Sequence, residues 1–173
     1  MLVKIWLKRL RMLQMQTHSF NAFYNPDSIY LFLGSFPSVK SRERNFYYMH
    51  PKNRFYPLLE EVFKDSFTTQ NIEEKKILLK KHKIALFDVI ESCEITGSSD
   101  SSIKNIKVND IEKILNYSNI QKIILNGKLA YNLFIKYFPN LINKAYYLPS
   151  TSPANAKCSL TNLKVHLLDI INK

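Results

Sequence analysis

Glycine is scarce in this chain of 173 residues, which contains only Gly34, Gly97 and Gly127. Against so poor a background Gly34 and Gly127 are expected at turns or where the backbone approaches a neighbour closely, with plain turn glycines as the other reading. Cysteine is scarcer still: Cys93 and Cys158 stand far apart, form no CxxC and have no histidine pair nearby. Neither a zinc site nor an iron–sulfur cluster has its ligands, so the expectation is a metal-free, cytosolic protein whose cysteines are small buried side chains. Long apolar runs are missing as well. Charged residues interrupt every hydrophobic stretch before it reaches the roughly 18 residues of a membrane-spanning helix, and no membrane partner is expected. Acidic residues are the last shortage. Fourteen Asp+Glu against 25 Lys+Arg leave a net charge of +11, which fits a polyanion such as nucleic acid and equally a lysine-rich proteome.

What is present is a core. With 46% hydrophobic and 13% aromatic residues, the chain can bury one, but it is too short for two ordinary domains and a linker. Residues 1–14, MLVKIWLKRLRMLQ, have the pattern of a basic amphipathic helix without a small-residue cleavage site, and read as an extension outside the core. Residues 15–173 read as a single domain.

Short apolar runs end at Gly34, recur at Ile84 to Ile90 and Ile120 to Leu125, and return more weakly at Ala145 to Leu148. Between them, helical periodicity marks Pro57 to Phe63, Ile72 to Lys81, Val108 to Leu115 and Lys128 to Phe138, with Leu160 to Ile171 closing the chain. Alternating strands and helices predict an α/β fold whose mostly parallel sheet is covered on both faces.

The densest segment is GSFPSVKSRERNFYYMHPKNRFYPLL, Gly34 to Leu59, between a predicted strand and a predicted helix. LFDVIESCEITGSSDSSIKN, IILNGKLAYNLF and LPSTSPANA follow at Leu86, Ile123 and Leu148. In order and spacing these four segments resemble the uracil-DNA glycosylase superfamily, and most nearly its hypoxanthine (deoxyinosine) branch. The resemblance implies a three-layer α/β/α sandwich with a short, mostly parallel central sheet. It also implies a monofunctional DNA glycosylase that flips a deaminated base out of DNA and hydrolyses its N-glycosidic bond without a cofactor. DNA is the implied partner, and a monomer is expected.

The same resemblance assigns roles. Asn53, in HPKNRF, is implied as the catalytic carboxamide; a helix N-cap is its other reading, and the two are compatible. Several relatives carry their catalytic Asn or Asp just before the proline, where this chain has Phe36; Phe36 is either a stacking platform or a core ring, and Ser35 a hydrogen-bond donor. Asp88 falls near the position that reads the base edge. Its carboxylate suits the N1–H of hypoxanthine, which adenine lacks, although an ordinary turn carboxylate is the competing reading; Asp100 is a weaker rival. Tyr47 and Tyr48 are expected to wall the pocket, and His50 to belong to loop structure. Ser38, Lys40 and Arg42, with Arg44 beside them, are candidate DNA contacts, as are Ser150, Thr151, Ser152 and Asn155, for which a polar turn is the plainer reading. Uracil or G·T mismatch specificity, and a DNA-binding protein without catalysis, remain the alternatives.

Overall fold

The computed structural model describes residues 14–173. Its centre is a four-stranded, wholly parallel sheet in the order β3-β2-β6-β7, built from β2 (Tyr30–Gly34), β3 (Ile84–Asp88), β6 (Lys122–Asn126) and β7 (Ala145–Leu148). Alternation along these strands makes the layers. Leu31, Leu33, Ile123 and Leu125 face one core with α4 (Ile111–Tyr117) and α5 (Lys128–Tyr137). Phe32, Leu86, Ile124 and Leu148 face the other, with α2 (Phe55–Phe63), α3 (Ile72–Lys81) and α6 (Leu160–Asn172). Both faces are therefore apolar, as a doubly covered parallel sheet requires, and the three-layer expectation holds.

Helix limits follow from local chemistry. Asn71 and Glu74 form a reciprocal capping box at α3, and the side chains of Asp110 and Ser159 cap α4 and α6. Each satisfies backbone donors that the first helical turn leaves open. The short α1 (Val39–Arg44) is capped by Ser38.

Two expectations are corrected. The run from Ile84 to Ile90 is two strands: β3 ends at Asp88, and β4 (Ile90–Ile95) enters a different sheet. The helical reading from Val108 fails because Val108 ends β5 (Lys104–Val108), and α4 starts only after the Asp110 cap. β4 is the middle strand of a small antiparallel sheet, β1-β4-β5, in which β1 (Gln14–Thr17) pairs with Ser92–Ile95. Gln14, assigned above to the extension, thus lies in β1; the rest of that extension is outside the described residues. Among the described residues no helix is long and apolar enough to cross a membrane.

The parallel strands all deliver their carboxyl ends to one edge, where Gly34 is in register with Asp88 and Asn126 with Leu148. Gly127 follows with φ +105°, and a Cβ there would lie 3.2 Å from Ser150 Cβ. We expect Gly127→Ala to lower the unfolding free energy by more than about 1 kcal/mol in a urea titration, because strain and crowding add.

Candidate active site

A cavity of about 690 Å³ opens at the carboxyl edge of the parallel sheet, the usual place for a ligand in an open α/β fold. Its floor is the strand ends Gly34, Asp88 and Asn126; its walls are the Ser35–Ser38 loop, Asn53, the Ser98–Ser101 turn and the Ser150–Asn155 loop. The loops of four distant sequence motifs therefore meet at one place.

Asp88 is almost fully enclosed. One carboxylate oxygen, Oδ2, lies 2.8 Å from His18 Nε2, with the two side chains only 5% and 4% exposed. Its Oδ1 has no hydrogen-bond partner among the described residues, and would lie 2.4 Å from a Cβ placed on Gly34. Gly34 is thus needed for close approach, one of the two readings its scarcity left open. His18 is the functional candidate that sequence reasoning missed. Nothing in the local stretch MQTHSF marks it, because its partner is 70 residues away.

Asn53 stands one residue before the N-cap of α2, which is Arg54, so its N-cap reading is corrected. Its Oδ1 accepts the Phe55 backbone N–H at 2.9 Å, which tethers the entry to α2 and sets the amide orientation. The same side chain lines the cavity. Ser35 Oγ donates to Asp100 Oδ1 at 3.0 Å, so the rival carboxylate shares the cavity with Asp88. Burial raises the Asp100 carboxyl above the usual range; the Ser35 hydroxyl opposes that rise and Asp88 adds to it.

The aromatic candidates divide. Phe36 packs into the core yet borders the cavity, with the Arg42 guanidinium 5.5 Å from its ring centre. Tyr47 is a buried ring that also lines the cavity, and its hydroxyl donates to the Asn21 carbonyl at 3.0 Å. Tyr48 stacks on Phe55 with centroids 3.9 Å apart, and its backbone is held at φ +57°, a strained region for a bulky residue. Its buried hydroxyl makes no close hydrogen bond among the described residues, and the Asn126 side chain is its polar neighbour. Burial, then Asp88, pushes both tyrosine hydroxyls above their ordinary range.

The basic candidates do not reach the cavity. Lys40 pairs with Glu43 on an exposed face, and Arg42 donates to the Pro37 and Gly97 carbonyls, bracing two loops. Ser38 lines the cavity but is occupied as the cap of α1. His50 Nδ1 accepts the Lys52 N–H, a loop role as expected. Among the described residues the cationic side chain lining the cavity is Lys128, at the start of α5.

One wall is organised by Arg54, which sequence reasoning quoted only as part of HPKNRF. Its side chain donates to five carbonyls of a single loop, those of Ser150, Thr151, Ser152, Asn155 and Cys158. The loop is latched from the sheet as well. Asn126 Nδ2 donates to Thr151 Oγ1 and Asn126 Oδ1 accepts the Thr151 N–H, both at 2.9 Å. Asn155 Nδ2 donates to the Ser150 carbonyl, and Ser150 Oγ accepts the Ser152 N–H. Thr151 is thereby buried as a latch, and it borders the cavity together with Ser150, Ser152 and Asn155. A polar asparagine ending a buried strand, just before a glycine, was the available signal for Asn126. Among the described residues no group of three or more His, Cys, Asp or Glu is placed to hold a metal ion.

Comparison with known proteins agrees with this geometry. The family model for the Uracil DNA glycosylase superfamily matches residues 22–172. The hypoxanthine DNA glycosylase of Methanosarcina acetivorans is 31% identical over 144 residues, 81% of this chain and 89% of that protein. Its Methanosarcina barkeri namesake is 29% identical over 115 residues, 66% and 73% of the two chains. A solution NMR structure from M. acetivorans, of a protein with a proposed uracil DNA glycosylase assignment, superposes with a TM-score of 0.75 at 27% identity. That match covers 91% of this chain and 99% of the other.

Two predictions follow from the geometry. Arg54→Lys keeps the charge but loses the planar fork, and at about 1.5–3 kcal/mol for each hydrogen bond to a charged group it should cost more than about 3 kcal/mol in urea unfolding. Asp100, with its folded-state pKa raised, contributes stability below its unfolded pKa and loses it as pH rises through the folded one. Asp100→Asn should therefore raise the thermal midpoint at pH 7 relative to the unaltered protein, and not at pH 3.

Proposed function

The chain belongs to the uracil DNA glycosylase superfamily, and we propose that this DNA glycosylase acts on deoxyinosine, releasing hypoxanthine and leaving an abasic site. The observation that carries the substrate reading is Asp88 Oδ1, an acceptor in the cavity floor with no hydrogen-bond partner among the described residues. Hypoxanthine presents N1–H next to O6, so a carboxylate accepts from it; adenine presents a lone pair at N1 and is repelled. The cavity, at about 690 Å³, falls within the roughly 300–1,000 Å³ of ordinary small-molecule sites and has room for a flipped purine. The names of the two Methanosarcina relatives support the same reading.

In this reading water attacks C1′, the C1′–N9 bond breaks with its electron pair leaving on the base, and the proton lost by the water ends on the departing hypoxanthine. Asn53 positions the water. With Oδ1 oriented by the Phe55 N–H, its second lone pair accepts from water and its amino group donates. Phe36 and Tyr48 flank the base, and Ser150, Ser152 and Asn155, held from behind by Arg54, meet the flanking phosphates. Lys128 stands at the start of α5, where a helix N-terminus adds a partial positive charge.

Single-turnover base release from matched duplexes carrying deoxyinosine, deoxyuridine or a G·T mismatch tests this reading. Hypoxanthine should leave fastest, and Asn53→Ala should slow its release by about 100-fold or more with duplex binding retained. Faster uracil or thymine release would move the substrate assignment to a pyrimidine. Binding without release of any base would reject it.

A further inference from the structure

His18 lies in none of the motif loops, does not line the cavity, and is buried all the same. Four rings cage its imidazole: Phe20, Phe87, Tyr47 and Phe36, with centroids 4.6, 5.3, 5.9 and 6.3 Å away. Inside that cage Nδ1 has no hydrogen-bond partner, and Nε2 meets only Asp88 Oδ2, at 2.8 Å. A phenylalanine would fill such a cage without leaving a buried nitrogen bare, an arrangement that costs about 1–3 kcal/mol. The imidazole therefore serves its single polar contact. The fold is also arranged to present it: β1 pairs with β4, and directly after β1 the His18 N–H donates to the Glu91 carbonyl at 2.7 Å.

We propose that His18 is a specificity-determining positioning residue, which by donating from Nε2 to Asp88 Oδ2 fixes the carboxylate plane so that Oδ1 meets the N–H of a flipped lactam base. This rests on the deoxyinosine reading and deepens it. Against an ionised carboxylate Nε2 can only donate, which occupies Oδ2 and leaves Oδ1 as the acceptor for the base. Gly34 leaves Oδ1 its space. Without His18 the carboxyl group can rotate about its last bond, and a rotated carboxylate no longer separates a base with N–H at that edge from one with a lone pair there.

The test compares the unaltered protein with His18→Phe, His18→Gln, Asp88→Asn and the double variants. Each is followed by single-turnover release from duplexes carrying deoxyinosine or an undamaged adenine, with affinity for an abasic-site duplex as the binding readout. His18→Phe should slow hypoxanthine release at saturating protein by about tenfold or more, narrow the preference over adenine, and leave abasic-site affinity within twofold. His18→Gln, which retains an N–H donor, should recover at least half of the lost rate. In the Asp88→Asn background either His18 substitution should change the rate less than twofold, because the two residues act as one unit. Multiplicative losses in the double variants overturn the proposal. So does a His18→Phe protein that keeps both the rate and the preference of the unaltered one while the unaltered one releases hypoxanthine. Should His18→Phe not fold, His18→Leu, which likewise lacks a donor, and its double variant with Asp88→Asn decide by the same criteria. Absence of hypoxanthine release from the unaltered protein overturns the substrate reading and this proposal together.

Discussion

The cavity depends on one guanidinium. Arg54 stands at the entry to α2, and its side chain gathers the carbonyls of Ser150, Thr151, Ser152, Asn155 and Cys158. A loop of this kind has no ladder of its own to satisfy its backbone, and unpaired carbonyls away from water are costly. Arginine meets the need because its donors are numerous, coplanar and permanently charged. The carbonyls, not the side chains, are spent on the anchor. That leaves Ser150, Ser152 and Asn155 along the cavity, where Thr151 also lies with its side chain bonded to Asn126. The Asn53 turn lies next to Arg54 in the chain, so catalytic candidate and loop anchor share one rigid entry to α2.

Against this wall the floor is simple. Parallel strands buried on both faces are the most rigid part of such a fold, and their ends place Gly34, Asp88 and Asn126 side by side. Two carboxylates share the cavity in different settings: Asp88 is enclosed and bonded to a histidine, whereas Asp100 sits on a turn, touched by Ser35 and raised by burial. Different surroundings of this sort let two chemically identical groups take different parts in one reaction. Among the described residues little positive charge reaches the cavity, since Lys40 and Arg42 are engaged elsewhere and Lys128 is the one lysine or arginine that borders it.

Legibility varied with the range of the interaction. The central sheet could be read because strands buried on both faces are unbroken apolar runs, and α3 and α6 because their apolar residues repeat with helical period. The antiparallel sheet could not. β5 is KNIKV with Lys104, Asn105 and Lys107 exposed, a polar stretch that becomes a strand only beside β4. The continuation of β3 into β4 looked like one strand because no turn residue separates Asp88 from Ile90.

By itself the sequence determined the α/β class, the sheet and helices formed by local apolar patterning, and, through four motifs in order, the family and its candidate loops. Tertiary structure alone decided which polar groups meet. It turned Ser38 and Arg42 to structural uses, gave Arg54 a loop to hold 96 to 104 residues away, and set His18 against Asp88 across 70. The reason is physical: a helix or buried strand is written in spacings of two to four residues, whereas a hydrogen bond between distant side chains depends on where the whole fold carries their backbones and leaves no local pattern.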